Sequence, residues 1–191
     1  MNIMGKKVVL RALEPSDMEA LRSYHNDPDI AKMVMGWSFP ISSYEQERWY
    51  ERIIGDPLNK RFAIDAEEHG FIGISTLTNI DIKYRSAFHG IMIGAKDIQG
   101  KGYGTDTVMA TMRFAFEELG LERLDGEIVE FNKASIGLYT KKCGWVVEGK
   151  RRRSVFRDDQ WHDSLIVGIL REDYLKLVEE TRYWDCQDMM V

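Results

Sequence analysis

Apolar residues along this chain fall into short runs whose spacing switches between a period of two and a period close to that of a helix. Residues 7–13 alternate as a strand, and Glu14-Pro-Ser-Asp17 turns that strand into a helix ending near Asn26, Asp27 and Pro28. Ser42 and Glu45 have the spacing of a capping box, and Trp49 with Ile53 gives the helix they open an apolar stripe. Residues 61–67 and 70–79 read as paired strands about a turn at Glu68, His69 and Gly70. Residues 88–94 are short and apolar, as a buried strand requires. Val108, Met112, Ala115 and Leu119 recur at near-helical spacing and should pack on a sheet. Residues 122–131, 145–155 and 161–170 supply later strands, the last two joined by a turn at Arg157, Asp158 and Asp159. The pattern runs without internal repeat, low-complexity stretch or linker, and a single mixed α/β domain is expected.

One connection in this pattern is unusual. Between the strand at 88–94 and the following helix lies Gln99-Gly-Lys-Gly-Tyr-Gly104. Glycines let a backbone approach a bulky anion, and the first turn of a helix offers unpaired N–H groups and the positive end of its dipole. The loop is therefore either a tight connection or a phosphate cradle. It is not a Walker A loop, which needs a closing Gly-Lys-Ser/Thr, and Thr105 stands where the dinucleotide fingerprint wants its third glycine. About thirty residues on, a β-prone segment runs into Asn132, a short helix carries Tyr139, and Gly144 ends it before Trp145. Asn132 is placed to cap that helix, and Tyr139 to pack as a half-buried aromatic.

Composition narrows the chemistry. A chain of 191 residues with 44% apolar and 30% charged residues suits one globular domain. Its net charge of −5 argues against nucleic acid as the main partner. Lys150, Arg151, Arg152 and Arg153 form a basic cluster read as a solvated hairpin. Cys143 and Cys186 make no metal or disulfide motif, and four scattered histidines lack helical ligand spacing, so no metal is expected. No segment has the length of a signal or spanning helix, and a cytoplasmic location is expected. Trp37 and Phe39, in the loop from Gly36 to Pro40, either pack or wall a pocket.

Taken together, the glycine loop and the segment from Asn132 to Trp145 resemble the paired motifs of the GCN5-related N-acetyltransferase superfamily. Within it, the opening Val-Leu-Arg-Ala-Leu-Glu-Pro-Ser-Asp, residues 79–86 and residues 168–174 are most similar to the RimJ/RimL-type branch. That branch includes ribosomal-protein, spermidine and amino-sugar acetyltransferases. The resemblance implies a mixed, mostly antiparallel sheet of about seven strands, splayed between the fourth and fifth and flanked by helices. Residues 1–174 would form the acetyltransferase domain and 175–191 a helical extension and tail.

It also implies roles. Acetyl-CoA would be the cosubstrate, its pantetheine arm bonded to the backbone of Ile91, Met92 and Ile93. Gln99, Gly100, Lys101, Gly102, Tyr103, Gly104 and Thr105 would wrap its pyrophosphate, and Asn132 would bind the arm. Tyr139 would lie beside the thioester sulfur as general acid. The other partner would be an amine acceptor: a protein N-terminus, a polyamine or an amino sugar. Neither nucleic acid nor membrane is expected, and a homodimer stays open. The resemblance departs at the base, since many members carry a glutamate where this chain has Ala87, Phe88 and His89. His89, Glu127 and a water chain remain alternatives for that role. A non-catalytic acyl-CoA-binding module is the competing class, and the retained Tyr139 argues against it.

Overall fold

The computed structural model describes residues 1–36, 39–94 and 98–185. Among them the chain runs β1 (Ile3–Met4), β2 (Val8–Ala12), α1 (Met18–Asn26), α2 (Pro28–Met33), α3 (Ser43–Ile53), β3 (Lys60–Ala66), β4 (Gly70–Asp81) and β5 (Ser86–Ile93). It continues through α4 (Tyr103–Arg113), β6 (Arg123–Val129), α5 (Lys133–Gly137), β7 (Val146–Arg157), β8 (Gln160–Leu170) and α6 (Arg171–Thr181). The eight strands form one sheet in the order β1-β2-β3-β4-β5-β6-β8-β7, antiparallel throughout except where β5 meets β6. The expected seven strands are joined by β1, a two-residue edge strand, so the fourth strand of the sequence pattern is β5 here.

Apolar faces decide what covers the sheet. Val108, Met109, Met112 and Phe116 of the α4 region and Tyr174 of α6 pack with Leu77, Leu124, Trp145 and Ile169. A neighbouring cluster ties Ile98 and Ala110 to Val8, Leu10, Ile64 and Ile72. Leu21, Ile30, Trp49 and Ile53 from α1, α2 and α3 gather on Ala63, Ile74 and Met92. Helices therefore lie on both sides of the sheet.

Three local features depart from simple periodicity. The first helix does end at Asn26, but Asp27 then caps α2, its Oδ1 accepting from Asp29 N at 2.9 Å and Ile30 N at 3.3 Å, with Pro28 in the first helical position. Leu119 is exposed rather than packed, because α4 widens into a π-helical turn over Phe114–Glu118, closed by Leu119 N–H to Phe114 C=O at 3.0 Å. A second such turn, Leu138–Lys142, extends α5 and carries Tyr139. Between β7 and β8 the turn is two residues, Asp158 and Asp159, both at positive φ, the geometry that fits strand twist. Beyond α6, Tyr183 donates to Asp106 at 2.8 Å and Trp184 lies under the Arg113 guanidinium at 3.9 Å, so this part of the expected tail is packed on the domain. Cys186 lies outside the described residues.

Candidate active site

β5 and β6 are bridged over only three residue pairs, Ser86 with Arg123, Ala87 with Leu124 and Phe88 with Asp125. Past Phe88 the strands part, β5 running on to Ile93 and β6 to Val129. Gly94 N–H bonds to Ile72 C=O on the β4 side at 2.9 Å, so by the alternation of an antiparallel ladder Ile91 and Ile93 turn their backbone groups away from β4, into the gap. Met92 spends its backbone on β4, and its side chain is buried. Buried backbone groups in such a gap call for a hydrogen-bonding occupant. The strand end is fixed by Tyr24: a Cβ at Gly94 would lie 2.0 Å from that ring.

The glycine loop closes one end of the gap. Ile98 is sunk in the core beneath it, Gly100 sits at φ +80, and Gly102 at φ +92 is the N-cap of α4. The first α4 hydrogen bond runs from Asp106 N–H to Gly102 C=O, leaving the N–H groups of Tyr103, Gly104 and Thr105 without intrahelical acceptors. Gln99, Gly100, Gly102, Tyr103, Gly104 and Thr105 line a cleft of about 770 Å³ with Ile91, Met92, Ile93 and Asn132. Lys101 is exposed and outside that lining; its carbonyl accepts from Lys7 Nζ at 3.0 Å. Behind the loop, the buried Asp106 carboxylate accepts from the N–H groups of Lys6, Lys7 and Val8 at 2.9, 2.6 and 3.0 Å. Sequence reasoning missed this brace. Lys133, Lys141 and Lys142 also line the cleft and escaped it, although their spacing on a short helix was open to inspection.

Asn132 has both amide functions engaged. Its Oδ1 caps α5 by accepting from Ser135 N–H at 3.0 Å, and its Nδ2 donates to Met33 C=O at 3.0 Å, tying α5 to the end of α2. Met33 and Val34 thereby roof the cleft and also a second recess of about 260 Å³ that adjoins it. That recess lies in the fork between β5 and β6, with Thr76, Thr78, Phe88, His89, Glu127 and Tyr139 in its wall. Trp37 and Ser38 of the aromatic loop lie outside the described residues, and Phe39 is exposed.

Three titratable side chains meet the smaller recess. Tyr139 is 4% exposed, stacked edge-on to Trp145 at 4.9 Å, and its hydroxyl makes no hydrogen bond among the described residues. Burial holds its phenol well above the ordinary range, so it stays protonated. His89 is 2% exposed and packs on both rings, and burial pushes its pKa down to about 4. Its Nδ1 stands 3.0 Å from Thr76 C=O, which only accepts, so Nδ1 carries the proton and Nε2 is left as a bare lone pair without a partner among the described residues. Glu127 accepts from the Ser164 hydroxyl and pairs with Arg151 at 3.1 Å. Two members of the basic cluster are spent on such pairs, Arg151 here and Lys150, which meets Asp163 at 2.6 Å and Glu130 at 3.5 Å. Among the described residues, no group of three or more His, Cys, Asp or Glu is placed to hold a metal, and no helix is long and apolar enough to cross a membrane.

A forked sheet with a helix N-terminus at one end of the fork and a buried phenol in its wall can hold an extended anionic ligand beside a proton donor. Residues 7–146 match the acetyltransferase (GNAT) domain, and the chain belongs to that family. It is an acetyl-CoA-dependent N-acetyltransferase. Along its length it is similar to spermidine N(1)-acetyltransferase of Vibrio cholerae, with 28% identity over 177 residues, 92% of this chain and 100% of the relative. The corresponding enzyme of Escherichia coli K12 is 27% identical over 165 residues, covering 85% and 87%. A crystal structure of the Vibrio enzyme with CoA and spermine superposes with a TM-score of 0.80 at 29% identity, covering 88% of this chain and 98% of that one.

Proposed function

We propose that the protein acetylates a primary amine of a polyamine, with the donor in the larger cleft, the acceptor in the smaller recess and Tyr139 as general acid. The observation that carries this is the joining of the two spaces in the fork: Ile91, Met92 and Asn132 line both, and Tyr139 stands in the wall of the second. Acetyl-CoA supplies the acetyl thioester. The backbone of Ile91 and Ile93 offers the amide partners that an extended arm needs, and the loop from Gln99 to Thr105 offers N–H groups to a pyrophosphate. Lys133, Lys141 and Lys142 add positive charge along the same cleft.

Tyr139 keeps its proton until a thiolate leaves beside it, and the phenol then supplies that proton. His89 is poorly matched to taking a proton from an alkylammonium, because burial already disfavours its charged form. Asn132 would exchange its Met33 contact for the arm as the roof adjusts. The polyamine assignment rests on the relatives that act on spermidine and on the net charge of −5, which favours approach of a cation. It also suits the RimJ/RimL-type likeness, a branch that includes spermidine acetyltransferases. The reading takes residues 1–174 as the domain that performs this chemistry.

Release of free CoA from acetyl-CoA, measured with spermidine, an N-terminal peptide and glucosamine as acceptors, tests it. Spermidine should give the highest kcat/KM. Preference for the peptide or the sugar would overturn the acceptor assignment.

A further inference from the structure

Glu127 is the one carboxylate among the described residues in the wall of the smaller recess. It stands two residues past Asp125, the last residue of β6 bridged to β5, and the period of a strand puts it on the same side as Asp125 and Phe88. Its side chain is 15% exposed. One oxygen is held from within by Ser164, which is fully buried and braced in turn by Ser154 Oγ at 2.7 Å. The other faces Arg151, whose side chain is 62% exposed and whose strand is irregular between Arg151 and Val155. The carboxylate is thus fixed on its inner side and closed on its outer side by a cation standing in solvent. Independently, His89 Nε2 is an acceptor without a partner among the described residues, on a side chain 2% exposed in the wall of the same recess. Among the described residues no Lys or Arg lines this recess, whose other walls are apolar or hydroxyl-bearing apart from the Asn132 amide.

We propose that Glu127 is a specificity-determining residue that holds a second, non-reacting ammonium group of the acceptor, and that Arg151 is the counter-ion this ammonium displaces. The inference deepens the polyamine reading and rests on it. Exchange of one cation for another keeps the Glu127 charge compensated, so the carboxylate is never left buried and unpaired. Arg151 returns to water at little cost, because its own side chain already stands largely in solvent. A monoamine has only its reacting nitrogen to offer and leaves the Arg151 pair intact. The recess therefore selects acceptors with two or more amines and gains nothing from a single one.

Isothermal titration of 1,4-diaminobutane and of butylamine into the CoA-loaded protein tests this without requiring turnover. Wild type should bind the diamine more tightly than the monoamine. Glu127→Gln should weaken diamine binding by about 10–100-fold, the size of a charge-assisted hydrogen bond, and leave butylamine unchanged. Arg151→Gln should strengthen diamine binding, and CoA affinity should be unaltered in both variants. Equal weakening of both amines by Glu127→Gln, no weakening at all, or weaker diamine binding after Arg151→Gln would overturn the proposal. Diamine selectivity without acetyl transfer would instead count against the catalytic reading alone.

Discussion

The two spaces that meet in the fork are built by different means. In the larger cleft the β5 edge, the glycine loop and the first turn of α4 offer backbone groups, while side chains of α2, α5 and the turn after it close the other sides. The smaller recess draws its polar groups from side chains of β4, β5, β6, α5 and the π-helical turn after it, with α2 and β8 adding apolar walls. Backbone recognition demands particular glycines at fixed positions, so it leaves a short pattern in the chain. Side-chain recognition leaves less: Tyr139 belongs to the motif from Asn132 to Trp145, but residues such as Thr76 and Glu127 become its neighbours only once the sheet has formed. On the proposed reading, a donor common to many acetyltransferases is met by the first means, and an acceptor that differs among them by the second.

The sharpest way to break this contrast is at Tyr139, the phenol in the smaller recess. Tyr139→Phe removes only a hydroxyl with no hydrogen-bond partner among the described residues, so packing on Trp145 and acetyl-CoA affinity should survive. The rate should fall by about 10²–10⁴-fold, nearer the lower figure because a thiolate is a fair leaving group. Steady-state rates beside a direct measurement of acetyl-CoA binding separate the two quantities, and a wild-type rate under chemistry-limited conditions would remove Tyr139 from the mechanism.

Backbone recognition makes a prediction of its own. Saturating acetyl-CoA at about 100 times its dissociation constant should raise stability by roughly 2.7 kcal/mol. Gly102→Val should abolish that gain, because φ +92 is strained for a β-branched residue at the N-cap of α4. Thermal melting with and without ligand reads both, and an undiminished shift in the variant would mean that the loop is only a connection.

A smaller effect concerns protons. His25 and His89 are both held near pKa 4 by burial, below the ordinary 6.5. The unfolded chain takes up protons as pH falls through 6.5 while the folded one does not until about 4. Stability is therefore complete above about pH 6.5 and is lost as pH falls toward 4, by up to about 3 kcal/mol per histidine. Denaturation curves across this window should show the loss, and His89→Leu should make it shallower. A flat profile would contradict the neutral, Nδ1-protonated ring described here.

These results also locate what was legible in the sequence. The strand ends, the capping box at Ser42 and Glu45 and the turn at Asp158 and Asp159 were readable because each depends on local chemistry, and the box closes as its spacing requires, with Ser42 N–H to Glu45 Oε2 at 2.8 Å. The second helix was hidden by Pro28, which ends one helix and starts the next. Leu119 was misplaced because a π-helical turn shifts the period by one residue. For the site, the glycines and Asn132 were visible as motif positions. Asp106 was not, since its partners Lys6, Lys7 and Val8 lie about a hundred residues away along the chain.

The most direct test of the account is whether one molecule can fill both spaces at once. A conjugate joining spermidine through an acetyl bridge to the sulfur of CoA would reach from the glycine loop past Tyr139 into the recess beside Glu127. Linking two bound parts makes the second contact intramolecular, so the conjugate should bind at least about 10-fold more tightly than CoA by isothermal titration. Affinity no better than that of CoA would show that the acceptor does not sit in the fork between β5 and β6.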